Sequence, residues 1–229
     1  MSQVIGIVGL IGCGKDTVAD YLVNEYKFKR ESFAKPLKDA VSAVFGWDRE
    51  MLEGRTKTSR EWRETKDEWW SDRLAQEITP RWVLQHWGTE VCRFGFHNDV
   101  WVASLENRIR QSSSNIIITD CRFPNEIQAI KNVSGKVIRI KRGAEPFWYE
   151  HAINFNAGPK RIGWAIGKSM LATEKVHASE YSWAGQDFDL VLTNNGTIAE
   201  LYKTVQDFIR SQEPTLPEPS QHEKLQTDN

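Results

Sequence analysis

The stretch VIGIVGLIGCGKDT, residues 4–17, decides the fold of this 229-residue chain. Its first five residues, Val4–Val8, are apolar and mostly β-branched, which is typical of a buried strand. Glycines at positions 9, 12 and 14 follow directly, and from Asp16 to Tyr26 apolar side chains recur at helical spacing. The loop therefore has the form G-x-x-x-x-G-K and ends at Lys15, between a strand and a helix, where such loops bind nucleotide phosphates.

The residue types of this glycine loop (residues 9–15) suit the binding of phosphate. Glycines let the backbone fold tightly, so that successive N–H groups point at one centre, and the following helix adds the positive end of its dipole. Lys15 supplies a mobile ammonium group for the β- and γ-phosphates. The pattern predicts a nucleoside triphosphate ligand, ATP with Mg²⁺.

The residue after the lysine departs from the usual pattern. Related loops have Ser or Thr there, whose hydroxyl binds Mg²⁺, but this chain has Asp16 followed by Thr17. Three alternatives stay open for the metal. Asp16 contacts the hydrated ion through its carboxylate, Thr17 contributes its hydroxyl, or a carboxylate elsewhere does so, for which Asp120 is the candidate.

The rest of the chain alternates strands and helices. Strands are expected over residues 28–33, 115–119, 136–140 and 189–193, and helices over 36–46, 79–93, 99–109, 125–132 and from 197 onwards, with N-caps at Thr79, Asp99 and Thr197. This order is typical of an α/β fold, a parallel sheet covered by helices on both faces. Residues 47–75 and 143–185 show no clear period. The tail over residues 211–229, with three prolines and no aromatic residue, is expected to be disordered.

The composition disfavours several classes of protein. The chain has 30 Lys and Arg against 31 Asp and Glu, so it lacks the basic excess expected of a protein that binds duplex nucleic acid. Its three cysteines have no paired or metal-ligand spacing, which favours reduced thiols. No signal peptide and no apolar run of about 18 residues is found. We therefore expect a cytoplasmic protein without a membrane partner.

Two further segments have charged residues that suit phosphoryl transfer. Asp120-Cys121-Arg122 follows an apolar strand, where a carboxylate could orient metal-bound water or the acceptor and Arg122 could reach the transferring oxygens. The alternative is that Asp120 caps a turn and Arg122 pairs with Glu126. Lys38, on the helix opened by Pro36, either faces the same cleft or lies in solvent.

Since no N-K-x-D motif marks a GTPase, and a motor would need more mass and a basic groove, a small metabolite kinase fits best.

Six stretches, in order, resemble the deoxynucleoside monophosphate kinases of tailed bacteriophages. They are GLIGCGKDTVADYL, FAKPLKDAV, RWVLQHWGTEVCR, IIITDCRFPNE, VIRIKR and LVLTNNGTIAELYKTV, which cover most of positions 4–210. The G-K-D-T loop is the most distinctive, because the family has the same Asp. The resemblance implies a P-loop NTPase-like parallel sheet in one domain over residues 1–210, with a helical acceptor-binding insert at about 47–112 and a lid at about 143–185. It also implies transfer of the ATP γ-phosphoryl group to a deoxynucleoside 5′-monophosphate (dNMP), giving the diphosphate.

By position, the resemblance implies roles for four sets of residues. The ATP set is Gly12, Cys13, Gly14, Lys15, Asp16, Thr17 and Arg142. The acceptor set is Ile11, Leu37, Lys38, Arg60, Arg81, Gln85, Gly88, Thr89 and Arg93. The catalytic set is Lys15, Asp120 and Arg122, and the lid set is His177 and Glu180. Of the lid set, His177 is interpreted as a capping residue rather than a catalytic base.

Three functions are thus considered: a Mg²⁺-dependent deoxynucleotide kinase, a P-loop ATPase that acts as a switch, and a nucleotide-binding module without turnover. Most of the ten tryptophans are expected to pack in the core, with Trp82 and Trp87 as candidates to touch a nucleotide. A homodimer is considered because aromatic residues are numerous.

Overall fold

Five parallel strands form the centre of the fold. In the computed structural model, which describes residues 3–212, they are β1 (Val4–Val8), β2 (Lys29–Glu31), β3 (Ile116–Ile118), β4 (Lys136–Lys141) and β5 (Leu190–Thr193). The strands pair in the order β2-β3-β1-β4-β5, and every pair is parallel. The predicted parallel α/β sheet is confirmed, with β1 as its central strand.

Helices connect and flank these strands. Within the described residues they are α1 (Lys15–Tyr26), α2 (Lys35–Phe45), α3 (Arg49–Glu53), α4 (Lys57–Glu64), α5 (Glu68–Leu74), α6 (Pro80–Gln85), α7 (Val100–Arg110), α8 (Pro124–Asn132), α9 (Tyr149–Asn156), α10 (Trp164–Thr173), α11 (Ala178–Tyr181) and α12 (Ile198–Gln212). A π-helix, His86–Phe94, continues α6. Over residues 3–212, no helix has the length and apolar character needed to cross a bilayer.

The described residues divide into two compact units, one that ends at Asn195 and one that begins at Gly196. In the second unit, α12 begins at the predicted capping box, where the Thr197 N–H donates to Glu200 at 2.7 Å and the Glu200 N–H donates to Thr197 Oγ1 at 3.3 Å. Residues 211 and 212, predicted to be disordered, belong to α12, and the rest of the predicted tail, 213–229, lies outside the described residues. The boundaries expected for a single domain, its insert and its lid stay predictions.

The main core of the first unit lies around the sheet. β1 and β3 are buried along their whole length. Val4 and Ile116 from these strands belong to one cluster with Ile127 and Ile130 of α8. Burying one such aliphatic side chain contributes about 1.5–3 kcal/mol. This packing fixes the carboxyl ends of β1 and β3, where the glycine loop and the Asp120 segment begin.

A second core accounts for the tryptophan-rich segment that has no sequence period. Its buried members are Leu37, Val41, Trp47, Leu52, Ile78 and Val83. Trp47 stacks on Phe45 with ring centroids 4.5 Å apart, and its indole N–H donates to Asp67 at 2.8 Å. Trp62 and Trp70 also pack against this core. Three of the four tryptophans of this segment therefore pack as predicted, whereas Trp69 is 64% exposed. The second core holds α3 and α4 in place.

The predicted regular helix over residues 79–93 changes geometry halfway. It starts as expected, with Thr79 accepting from the Trp82 N–H at 3.1 Å, but α6 ends at Gln85 and the π-helix follows. Within the π-helix, the Gly88 carbonyl accepts a hydrogen bond from the Trp101 indole at 2.8 Å. A side chain that engages a backbone carbonyl in this way competes with the regular i→i+4 ladder, and this favours a wider turn.

Asp99 does not cap α7, contrary to the prediction. The start of α7 has no side-chain cap, because the Asp99 carboxylate accepts from Asn125 Nδ2 at 2.7 Å instead. A tertiary partner has thus replaced the local backbone donors that the sequence pattern offers.

Candidate active site

A cleft of about 780 Å³ opens beside the carboxyl ends of β1, β2 and β3. The chain runs from β1 to strands on one side of it and later to β4 on the other side, so β1 stands where the strand order reverses. Ligands of open parallel sheets bind in the crevice at such a point. The fold alone therefore places a binding site where the glycine loop follows β1.

The walls of this cleft are more positive than the chain as a whole. The described residues that line it include eleven Lys and Arg against eight Asp and Glu, whereas the whole chain has a net charge of −1. Predicted site residues among the lining cations are Lys15, Lys38, Arg60, Arg81, Arg93 and Arg122. The local excess of positive charge favours an anionic ligand.

The glycine loop has the conformation that an anion site needs. Gly12 and Gly14 have φ angles of 77° and 106°, in the left-handed region that residues with a Cβ rarely adopt. A Cβ at Gly14 would also lie 2.5 Å from the amide nitrogen of Asn194, which donates to the Cys13 carbonyl at 2.9 Å. Directly after Gly14, α1 begins without a side-chain cap. Its first N–H groups and its dipole can therefore act on an anion.

Lys15 lies at the start of α1 with its ammonium group folded onto the loop. Nζ donates to the carbonyls of Gly9 and Leu10, both at 2.8 Å. Burial lowers the pKa of Lys15, and the positive charge of Arg122 adds to this shift. Because the two carbonyls are neutral acceptors, a phosphate oxygen would be a stronger partner for the ammonium group.

Asp16 is paired with a residue that the sequence did not single out. Its carboxylate lies 3.3 Å from Nη1 of Arg30 on β2, and Arg30 also pairs with Asp20 at 3.3 Å. The Asp16 side chain is 67% exposed and lines the cleft, whereas Thr17 is not among the described lining residues. Asp16 is thus better placed than Thr17 for a metal, and the metal assignment stays a prediction.

Asp120 organises the turn before α2. Its carboxylate accepts three hydrogen bonds, from Ser32 Oγ at 2.7 Å, from the Phe33 N–H at 3.0 Å and from the Ala34 N–H at 2.8 Å. This is the capping alternative left open by the sequence, with the capped segment 86–88 residues away along the chain. The geometry favours a positioning role over the predicted metal-ligand role, because both oxygens are already engaged.

Arg122 and Arg81 meet at Glu180. Arg122 Nη1 donates to Glu180 Oε1 at 2.8 Å and to Ser179 Oγ at 3.2 Å, and Arg81 Nη2 lies 3.8 Å from the same Glu180 oxygen. The alternative in which the Arg122 side chain pairs with Glu126 is wrong, since the backbone N–H of Arg122 makes that contact, at 2.7 Å. A predicted acceptor contact, Arg81, and a predicted catalytic residue, Arg122, are therefore linked through a carboxylate on α11.

His177 makes the predicted capping interaction. Its Nδ1 accepts from the Ser179 N–H at 3.2 Å at the start of α11, and Nε2 lies 3.4 Å from Glu90 Oε1. His177 is not among the described residues that line the cleft. This geometry favours the capping role over that of a catalytic base.

The predicted acceptor residues lie mostly along one part of the cleft wall. The lining residues include Ile11, Leu37, Lys38, Gln85, Gly88 and Thr89. Lys38 is not a free surface lysine, because Nζ donates to Glu53 at 2.6 Å. Partial burial alone would raise the pKa of Glu53, but the pairs with Lys38 and Arg49 outweigh it and lower the pKa to about 2.

Two arginines of α4 differ in their surroundings. Arg60, which belongs to the predicted acceptor set, donates from Nη1 to the carbonyl of Arg55 at 3.1 Å. Arg63, which the sequence reasoning missed, lies one helical turn later, lines the same cleft and is half-buried. The three-residue spacing puts both on one side of the helix, so helical periodicity was the signal that could have found Arg63.

Arg93 is committed to a buried ion pair. Nη2 pairs with Glu126, Nη1 donates to the Asn98 carbonyl at 3.1 Å, and the guanidinium lies over the Phe123 ring at 3.9 Å. The Arg93 side chain is only 2% exposed. Although Arg93 borders the cleft, this arrangement disfavours the predicted acceptor contact, because its donors have protein partners.

Arg142 and the Cys13 side chain lie apart from the cleft. Both border a separate small cavity together with Leu10. The Cys13 side chain is buried, which raises the pKa of its thiol. A contact between Cys13 and ATP would therefore have to come from the Cys13 backbone. The predicted contact between Arg142 and ATP has no support from this placement.

The tryptophan candidates do not line the cleft either. Trp87 packs against the second core, and Trp82 stacks on His86 with ring centroids 4.8 Å apart. Among the described lining residues the tryptophan is Trp101, which donates to the Gly88 carbonyl. The long-range packing of α7 against the π-helix selects it, which no local pattern reveals.

No protein-family model matches the chain. Over 216 residues it is 29% identical to a protein of Acanthamoeba polyphaga mimivirus whose name gives deoxynucleotide monophosphate kinase as a provisional function, and the match covers 88% of this chain and 93% of that protein. Over 184 residues it is 29% identical to the deoxynucleoside-5′-monophosphate kinase of Escherichia phage T5, covering 58% of this chain and 74% of that one. The chain is a relative of the deoxynucleoside monophosphate kinases. The resemblance inferred from the sequence is confirmed.

Distant structural likenesses accompany this relationship to the deoxynucleoside monophosphate kinases. The dephospho-CoA kinase from Campylobacter jejuni has a TM-score of 0.46 and 15% identity, with 92% of this chain and 97% of that chain covered. The shikimate kinase from Bacteroides thetaiotaomicron has a TM-score of 0.40 and 11% identity, with 91% and 98% covered.

Proposed function

We propose that the protein is a deoxynucleoside monophosphate kinase that transfers the γ-phosphoryl group of ATP to a dNMP and releases ADP and the deoxynucleoside diphosphate for DNA synthesis. One observation carries this proposal. Lys15 beside the uncapped start of α1 lines the same cleft as Arg81 and Arg122. Two sets of groups that are suited to bind phosphate thus line one cavity of about 780 Å³, which is within the usual range of ligand sites.

On the donor side, the glycine loop and Lys15 bind the ATP phosphates. The left-handed glycines direct backbone N–H groups at one centre, and the dipole of α1 adds positive charge there. The Lys15 ammonium group exchanges its two carbonyl partners for phosphate oxygens. Charge that develops between the β- and γ-phosphates during transfer is stabilised at this position.

Between donor and acceptor, Arg122 is the group placed to contact the transferring phosphoryl oxygens. Its charge acts on Lys15, and its guanidinium shares Glu180 with Arg81. Phosphoryl transfer needs positioning and charge stabilisation rather than a covalent intermediate. Asp120 contributes by holding Ser32–Ala34, the turn before Leu37 and Lys38, at the cleft.

A Mg²⁺ ion fits the donor side of the cleft. Magnesium keeps several waters and takes one or two carboxylates together with phosphate oxygens. It therefore needs no full protein cage, and the described residues contain no group of three His, Cys, Asp or Glu that could form one. Asp16 would supply the oxygen ligand, because its carboxylate is exposed next to Lys15 and its ion pair with Arg30 is long, at 3.3 Å. The ion supplies neutralisation of the β- and γ-phosphate charge when bound.

The segment 143–185 would act as the lid. Its Glu180 contacts Arg122 and Arg81, so movement of α11 changes the surroundings of both arginines. Closure over the two nucleotides would exclude water and suppress hydrolysis of ATP.

We place the enzyme in the cytoplasm, where its free cysteines would stay reduced.

A coupled assay of ADP release, run with ATP and each of the four dNMPs in turn, tests this function. ADP release that requires a dNMP is the expected result. ADP release at the same rate without an acceptor would favour the ATPase switch, and tight nucleotide binding with no ADP release would favour the module without turnover.

A further inference from the structure

Arg63 presents a guanidinium group that its protein neighbours leave unpaired. It lines the cleft, and over residues 3–212 it makes no hydrogen bond and no ion pair, while its Nε is fully buried. Withdrawing a guanidinium donor from water without an acceptor costs free energy. Such a group is expected where an anion supplies the missing acceptors.

Gly54 makes the space in which this guanidinium lies. Gly54 ends α3 with a φ angle of 68°, and a Cβ at this position would lie 2.2 Å from both Cζ and Nη2 of Arg63. The planar group therefore rests directly on the Gly54 backbone. Any side chain at position 54 would push the guanidinium out of its place in the wall.

Arg63 belongs to a group of three arginines. Burial and the positive charges of Arg81 and Arg122 lower the pKa of the Arg63 guanidinium, which stays protonated. Arg81 lies 3.6 Å from Glu64 and 3.8 Å from Glu180, and Arg122 donates to Glu180 at 2.8 Å. Glu64 and Glu180 thus make ion pairs with Arg81 and Arg122, and neither makes one with Arg63 over residues 3–212.

The position of Arg63 in the fold also indicates which nucleotide it serves. Lys15 lies at the start of α1, directly after the glycine loop of the donor side. Arg63 lies on α4, which packs against α6, and α6 contains the predicted acceptor residues Arg81 and Gln85. An anion at Arg63 is therefore on the acceptor side of the transferring phosphoryl group.

The geometry points to Arg63 as the residue that, together with Arg81, binds the 5′-phosphate of the acceptor nucleotide. This inference rests on the proposed function and adds the group that makes the enzyme require a phosphorylated acceptor. An arginine fork binds two phosphate oxygens at once, which suits a phosphate monoester. Contacts with the base and sugar do not depend on it.

The test compares Arg63→Ala with Arg73→Ala, which removes the same charge from an exposed position on α5 outside the cleft lining. The probe is the dNMP that the wild type phosphorylates fastest, together with its deoxynucleoside. Arg63→Ala should raise the KM for the dNMP, and its Kd measured by calorimetry without ATP, about 10- to 100-fold. The KM for ATP and the Kd of the deoxynucleoside should stay within about twofold, and Arg73→Ala should match the wild type.

A second pair of variants tests the space rather than the charge. Gly54→Ala should raise the dNMP KM by displacing the guanidinium, and adding it to Arg63→Ala should raise the KM no further. Gly46→Ala is the control, because Gly46 has a φ of 70° but nothing within 4 Å of an added Cβ. If Arg63→Ala proves unstable, Arg63→Lys, which keeps the charge but loses the fork, should still raise the dNMP KM.

Four outcomes would overturn the inference. In Arg63→Ala they are an unchanged KM for the dNMP, a rise in the KM for ATP alone, or an equal loss of affinity for the dNMP and the deoxynucleoside. The fourth is a rise in the dNMP KM that occurs in Arg60→Ala but not in Arg63→Ala. In each of these cases the proposed function stands as long as the wild type phosphorylates dNMPs. A wild type that phosphorylates none of the four dNMPs overturns both.

Discussion

Replacing Asp120 with Asn separates a positioning role from a metal-ligand role. The carboxylate accepts from Ser32 and Ala34 on one oxygen and from Phe33 on the other. The Asn amide keeps one oxygen and turns an NH₂ group towards at least one of these donors. One backbone or hydroxyl donor loses its acceptor, and the remaining bonds lose the negative charge that strengthens them.

The expected cost of Asp120→Asn is about 2–3 kcal/mol, from one unpaired donor and weaker neighbouring bonds. For a chain of this size that corresponds to a fall in Tm of about 4–12 °C. The turn before Leu37 and Lys38 loosens, so the KM for the dNMP should rise about tenfold. The KM for ATP and the Mg²⁺ concentration for half-maximal rate should change little.

Differential scanning fluorimetry and steady-state kinetics with varied Mg²⁺ measure these quantities. Ser32→Ala is the matched control, because it removes the hydroxyl that donates one of the three hydrogen bonds and leaves the Asp120 carboxylate in place. This variant should lower the free energy of unfolding by about 1 kcal/mol. Combined with Asp120→Asn, its effect should be less than additive. A variant Asp120→Asn with an unchanged Tm and dNMP KM but a raised Mg²⁺ requirement would refute the positioning role.

Three further changes have distinct expected results. Lys15→Met should lower kcat about 100-fold or more with little change in Tm, because charge is lost where γ-phosphate charge develops, and near wild-type turnover would contradict the loop assignment. Glu53→Gln should lower the free energy of unfolding by up to about 3 kcal/mol at pH 7, because pairing lowers the pKa of Glu53 from 4.5 to about 2. Urea titrations should show that the difference in this free energy between the variant and the wild type shrinks as the pH falls from 4.5 towards 2. Arg93→Met should cost about 3–5 kcal/mol by leaving Glu126 unpaired, and adding Glu126→Gln should restore part of it. If Arg93→Met changes only the dNMP KM, Arg93 is a ligand contact after all.

Local sequence patterns predicted most of the elements that frame the site. Val4–Val8, the glycine loop and the start of α1 form a continuous stretch in which hydrophobic period, glycine spacing and helix signals agree. The same holds for the capping box at Thr197 and the cap at Thr79. Such features depend on residues three or four positions apart, so the sequence contains all the information they need.

Segments whose side chains pack between distant elements could not be assigned in this way. Trp47, Trp62 and Trp70 pack in a core completed by Leu37 and Ile78. Because these tryptophans come from several short helices and the loops between them, no single helical period describes the segment. The π-helix depends on a donor from Trp101, which is 13 residues away from Gly88. No hydrophobic period encodes a hydrogen bond of this kind.

The sequence by itself determined the parallel α/β sheet, the phosphate-type loop at the end of β1 and the family to which the chain is related, because each depends on local spacing or on matched stretches in order. The tertiary structure alone decided what the charged residues do. Asp120 accepts hydrogen bonds from Ser32–Ala34, and Arg93 forms a buried ion pair with Glu126. Arg63 lines the cleft without such a partner over residues 3–212. The physical reason is that the role of a charge depends on which partners lie within a few ångströms and on its exclusion from water, and both are set by contacts between elements far apart in the chain.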